Sequence, residues 1–185
     1  MSFKVPAGSS QEQGVIRVGT GLSVTANGTI STNTIALFDQ GYFYDTTIQT
    51  NPVASDINLV TFDSAAVNVG ISLVAGTQIT VSKTANYNLQ FSAQVDKTDT
   101  GTDTLDVWIL RNGNPYPATN TLLSLVTNNA PLLAGWSYLL ALDAGDYVEI
   151  AWQSLDVNMR LLSAPIQAGP VRPLTPSVRC TIVQL

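Results

Sequence analysis

The chain has 185 residues, a hydrophobic share of 45% and a net charge of −5, which supplies a core but the wrong sign of charge for a nucleic-acid surface. Charged residues make up only 11%, well below the usual quarter, so the surface must be built from Thr, Asn, Ser and Gln. There is no histidine and a single cysteine, Cys180, which removes an intrachain disulfide, C-x-x-C chemistry, the commonest zinc ligand and the commonest general base.

Met1 to Gly14 is small and polar, and Pro6, Gly8, Ser9 and Ser10 disfavour regular structure. It reads as a frayed terminus or as a docking peptide that orders against a larger assembly. No apolar run marks a cleavable leader, and none reaches the roughly 20 residues of a membrane span, so no membrane partner is expected. From Gly14 to Thr34, β-like pieces at Val15–Val18, Leu22–Thr25 and Thr29–Ser31 are separated by Gly19-Thr20-Gly21 and Asn27-Gly28. The pattern G-x-G-L-x-V-x-x-N-G-x-I-S is similar to segments of phage tail and head fibre proteins that form a trimeric neck. Residues 1–34 are therefore expected to be an anchor and neck, and residues 35–185 a head domain.

The head reads as β throughout. Strands are expected at Ala36–Phe38 and Tyr42–Tyr44 around a turn at Asp39-Gln40-Gly41, then at Ile57–Phe62, Val67–Val74 and Gln78–Ser82. Asn86 to Val95 is the clearest element, because Tyr87, Leu89, Phe91, Ala93 and Val95 alternate with Asn86, Asn88, Gln90, Ser92 and Gln94. That is a strand with one wet face. Leu105–Arg111 leads into the Asn112-Gly113 hairpin signal, and Pro115 and Pro117 keep the next segment irregular or at an edge. Further strands are expected at Leu122–Val126, Trp136–Leu142, Tyr147–Ser154 and Met159–Leu162. Ala164 to Pro176, with four prolines, reads as a loop before a last strand at Val178–Leu185. Short strands at about ten-residue spacing without helical periodicity predict an all-β antiparallel sandwich or jelly roll.

Four features carry a family likeness. They are the aromatic strand Tyr87–Val95, Val107–Leu110 followed by Arg111-Asn112-Gly113, the stretch LLALDAGDY with Gly145, Asp146 and Val148, and the closing strand. In order and spacing they resemble the tumour-necrosis-factor-like jelly roll, which includes the globular head of the first complement component. Asn86 departs from the family's glycine. The resemblance implies a homotrimer packed about a three-fold axis. It fits the closing strand, whose two faces both turn apolar: Val178, Cys180 and Ile182 on one, Val183 and Leu185 on the other. These five residues are the expected trimer interface, with Cys180 a small apolar side chain rather than a nucleophile.

Chemistry is sparse. Asp96, Asp99, Asp103 and Asp106 lack calcium-loop spacing and read as a solvated loop. Asp143 and Asp146 read as turn residues, and Trp108, Trp136 and Trp152 as core rather than as a sugar platform. Tyr116, between Pro115 and Pro117, and the loop residues Asp99 and Asp103 are the expected exposed contacts. No catalytic, cofactor or metal residue is expected. The reading is a tailed-phage virion protein, a trimeric fibre, spike or capsid decoration that contacts other virion proteins and a host glycan or receptor. The alternative is a soluble trimeric lectin-like or receptor-binding adhesin.

Overall fold

The computed structural model describes residues 22–24, 30–32 and 38–185, and the chain divides after residue 37 into two compact units. In the first, β1 (Leu22–Val24) pairs antiparallel with β2 (Ile30–Thr32), Leu22 opposite Thr32 and Val24 opposite Ile30. Met1 to Gly14, Val15–Val18 and the Asn27-Gly28 turn lie outside the described residues.

Every regular element described in the second unit is a strand. β3 (Gln40–Asp45) is followed by the short β4 (Gln49–Thr50) and β5 (Asn58–Leu59). β6 (Ser64–Val69) and β7 (Ile71–Val74) meet at Gly70, whose φ of 67° lets the chain leave one sheet and enter the other. Ala75-Gly76, both at positive φ, turns into β8 (Gln78–Val81), and β9 (Ala85–Lys97) comes next. β10 (Asp103–Arg111) turns through Asn112 and Gly113, at φ 51° and 77°, into β11 (Asn114–Pro115). Two positive-φ residues are what a tight hairpin needs to match strand twist. Next come β12 (Thr121–Leu125), β13 (Leu132–Leu142), β14 (Tyr147–Gln153) and β15 (Met159–Leu161). A small hairpin of β16 (Gln167–Ala168) and β17 (Val171–Arg172) precedes β18 (Val178–Gln184).

The strands form two sheets. The first runs β4-β15-β9-β18-β3-β6, with β13 along the other edge of β9. The second runs β11-β10-β14-β8-β7, with β12 also on β10 and β5 on β14. Their facing sides share one core: Phe43, Leu89, Phe91 and Ile182 from the first sheet, Ile79, Ile109, Ile150 and Trp152 from the second. Each fully buried side chain of this size contributes about 1.5–3 kcal/mol. The ring of Phe62 meets Phe43 at 6.1 Å, and Phe91 stacks on Trp136 at 5.5 Å.

The alternation of β9 holds from Asn86 to Val95 and stops at Asp96 and Lys97, both of which are buried. Tyr87, Leu89, Phe91, Ala93 and Val95 are buried, and Asn86 to Gln94 face outward. Other expectations are corrected. Asp39-Gln40-Gly41 is no turn; Gly41 lies inside β3, at a position where a Cβ would meet the Phe43 ring and Ile182. Val67–Val74 is two strands, split at Gly70. Leu132 to Gly135 belongs to β13, which pairs with β9 from Leu132↔Val95 to Leu142↔Ala85. The proline-rich stretch holds the β16–β17 hairpin.

Candidate functional site

Pleating sorts the closing strand. Val178, Cys180 and Ile182 are enclosed between the sheets, so three of the five expected interface residues are corrected to core. A side chain already buried within one protomer has no face left for a neighbour. Burial also pushes the Cys180 thiol far above its ordinary pKa of 9.0, which makes it inert as a nucleophile. Val183 is half-buried on the opposite face with Arg179 and Thr181, and Leu185 is exposed at the end.

That opposite face is continuous across the first sheet. Register sets Thr181 between Tyr42 of β3 and Gln90 of β9, with Ser137 of β13 beyond Gln90. Tyr42, Gln90, Gly135, Ser137, Arg179 and Thr181 line a shallow concavity of about 460 Å³. Around it stand Leu139 at 73% exposure, Leu133 at 59% and Val67 at 40%. Tyr42 and Tyr44 lie side by side with ring centroids 5.8 Å apart. The sequence pointed to β18 and to the polar face of β9; Leu133, Leu139, Val67 and Tyr42 were missed. Their signal was the same period of two, applied to β13, β3 and β6.

The acidic loop folds inward. Lys97, at an inward position of β9, has no solvent exposure. Its ammonium donates to Asp103, donates to the Gly101 carbonyl at 2.7 Å and lies 3.6 Å from Asp99. Asp156 completes a group of three carboxylates whose oxygens lie within 4.8 Å of one another. The hydrogen bond that Lys97 donates to Asp103 raises the Lys97 pKa, against the lowering effect of burial. Lys97 thus supplies, from within the chain, the positive charge that a bound cation would bring. Asp96 is a separate case: on the other side of β9 it accepts from Arg160 at 2.6 and 2.9 Å.

The turn motifs interlock. Asn112 Nδ2 donates to Asp146 Oδ1 at 2.7 Å, and the Asn112 side-chain oxygen accepts from the Tyr147 N–H at 3.0 Å. The Asp143 N–H donates to Asp146 Oδ2 at 2.8 Å, and Arg111 reaches both carboxylates. The hydrogen bond from Asn112 lowers the Asp146 pKa, burial opposes it, and the Asp143 N–H and Arg111 add to the lowering. Arg-Asn-Gly and Gly-Asp are one structural clamp, which is why Asp143 and Asp146 serve the fold rather than acid–base chemistry.

Tyr116 is half-buried and packs against the core. It is not joined to Asp99 and Asp103. Its N–H donates to the Ile109 carbonyl at 2.8 Å, near the far end of β10 from Asp103, and six residues of strand span about 20 Å. Of the tryptophans, Trp152 is core and Trp136 is half-buried on Phe91. Trp108 faces away from the core on the outer side of the second sheet, half-buried, and lines a cleft with Tyr116.

No protein-family model matches the chain, and no curated protein sequence matches it. Solved structures do. Murine APRIL at pH 5.0 is 15% identical with a TM-score of 0.54, over 80% of this chain and 100% of that one. Murine APRIL at pH 8.5 gives 0.52 at 15% identity over the same shares. The globular domain of zebrafish complement 1qA protein gives 0.49 at 14% identity, over 80% of this chain and 98% of that one. The fold is the tumour-necrosis-factor-like jelly roll expected from the order of the strand motifs.

Proposed function

We propose that the chain assembles as a homotrimer through the outward face of its first sheet. In this reading it is a structural protein of a tailed-phage virion, a fibre, spike or capsid decoration. Residues 1–34 would attach it to other virion proteins, and loops of the second unit would touch the host surface. The observation that carries the assembly is the face itself. Leu133, Leu139, Val67, Tyr42 and Val183 stand among neutral amides and hydroxyls, with Arg179 as the charge at the centre. A broad face with exposed Leu and few charges is an interaction surface, and three copies on one axis strengthen weak distal contacts by effective concentration. The virion setting is supported by the fibre-like segment Gly14 to Thr34 and by a surface poor in charge.

Light scattering on the full chain tests the assembly. The expected mass is three times the 19.7 kDa protomer, and Leu133→Glu with Leu139→Glu reduces it to one protomer without loss of β structure. A monomeric unmodified chain sinks the assembly. Mass spectrometry of purified virus particles tests the setting, and absence of the chain's peptides from particles overturns it. A soluble trimeric adhesin is the second reading. It is favoured by the cleft beside Trp108 and Tyr116 and predicts free protein in place of stoichiometric incorporation.

A further inference from the structure

We infer that the cleft between Trp108 and Tyr116 binds a neutral saccharide. Asp106 and Trp108 are two residues apart on β10, so both project from the outer face of the second sheet. Opposite them on β14 stand Gln153 and Ala151, the latter small and fully buried. The loop after β11 closes the other side with Tyr116 and Asn120. The cleft is open to solvent and has a volume of about 630 Å³, within the range of about 300–1,000 Å³ typical of small-molecule sites.

Three properties argue for a ligand. The first is chemical. A sugar ring presents an apolar C–H face and a rim of hydroxyls, and the cleft offers two half-buried aromatic rings beside a carboxylate and two planar amides. Asn120 Nδ2 donates to Asp106 Oδ1 at 2.8 Å, which fixes the carboxylate and leaves further lone pairs and N–H groups to meet hydroxyls. The second is rigidity. Thr119 Oγ1 donates to the Tyr116 carbonyl at 2.8 Å and accepts from the Ile109 N–H at 3.1 Å, while the Tyr138 hydroxyl donates to the Thr119 carbonyl at 2.9 Å. With Pro115 and Pro117 on either side, Tyr116 is held before any ligand arrives, which lowers the ordering cost of binding. The third is strain. Ala118 holds φ at 61°, and a non-glycine residue in that region persists only where its surroundings over-determine it, often at a ligand clamp. Among the described residues, Asp106 is the sole charged one lining the cleft and no basic side chain lines it, so a neutral sugar suits it better than an acidic one.

This inference rests on the host-contact part of the proposed function but not on the trimer, because the cleft lies within one protomer. The test is an NMR titration of the full chain, reading the Trp108 indole N–H, assigned through Trp108→Phe. The probes are linear oligomers of mannose, glucose, galactose and N-acetylglucosamine. At least one is expected to shift that signal saturably with a Kd of about 1 mM or below. Asp106→Asn and Asn120→Ala should each weaken binding about tenfold with an unchanged amide spectrum, and Tyr116→Ala should abolish it. No shift with any probe at about ten times that concentration, or shifts undiminished in the Asp106 and Asn120 variants, overturns the inference. Neither result alters the protein's mass or its presence in particles, so the two readings fail separately.

Discussion

The Lys97 ammonium donates to the Asp103 carboxylate across the turn between β9 and β10, from a side chain with no solvent exposure. A buried charge persists only with a partner, and here the partners are Asp103, Asp99 and the Gly101 carbonyl. Lys97→Met should therefore lower the urea midpoint by leaving three carboxylates facing one another. Calcium should raise the melting temperature of this variant and leave that of the unmodified chain unchanged. Calcium stabilisation of both proteins would show that Lys97 does not fill the cation's role.

Gly70 and Asp39 make a second close relationship. A Cβ at Gly70 would collide with the Asp39 carboxylate, which itself binds Lys83 and accepts from Ser82 at 2.7 Å. Gly70→Ala should cost about 1–2 kcal/mol for the left-handed backbone alone, and more once Asp39 is displaced. Gly145→Ala, at φ 90° with nothing within 4 Å of its Cβ, should cost only the backbone strain. Equal urea midpoints for the two variants would refute the steric argument.

Acid should unfold the head through its low-pKa carboxylates. Burial works to raise the Asp39 pKa, but hydrogen bonds from Lys83 and Ser82 outweigh it and hold it below the ordinary 3.8. Asp146 is held low chiefly by Asn112. For a depressed folded pKa, the stabilisation is complete above the unfolded value and is lost as pH falls through the folded one. Denaturation midpoints should be flat from neutral pH down to about 5 and fall below about 4. Asp146→Asn should start lower and fall less steeply; a slope equal to that of the unmodified chain would exclude Asp146 as a contributor.

Cys180 should be silent to thiol reagents in the folded protein. It is fully buried, and burial alone lifts its pKa. Iodoacetamide at mildly alkaline pH should label it only in denaturing guanidinium, and labelling at the same rate without denaturant would place it at the surface. Cys180→Ser should cost about 1–3 kcal/mol by burying a hydroxyl without an arranged partner.

Much of the head was legible in the chain because a strand with one wet face writes its burial into a period of two. β9 comes from that rule, and the Asn112-Gly113 hairpin from Asn-Gly chemistry; β14 shows the same alternation in its sequence, although Val148 to Trp152 are buried on both faces. The rule weakens where a strand changes sheet. Val67 to Val74 is one apolar stretch by composition, and Gly70 is the single residue that shows the break. It fails for Asp39, which is polar yet almost completely enclosed, because its partners Lys83, Ser82 and Tyr87 lie more than forty positions away.

By itself, the sequence determined the all-β class, the antiparallel pattern, turns such as Ala75-Gly76 and Asn112-Gly113, and the lack of a nucleophile with a histidine partner. Those are local matters of side-chain period, backbone φ and residue type. Tertiary structure decided which face of β18 is core and which is open, that Lys97 enters the acidic loop, and that Arg111-Asn112 clamps Asp146. It also decided that Trp108 and Tyr116 share a cleft. Each of these depends on register between strands distant in sequence, and register is fixed by how the two sheets bury their apolar faces against each other.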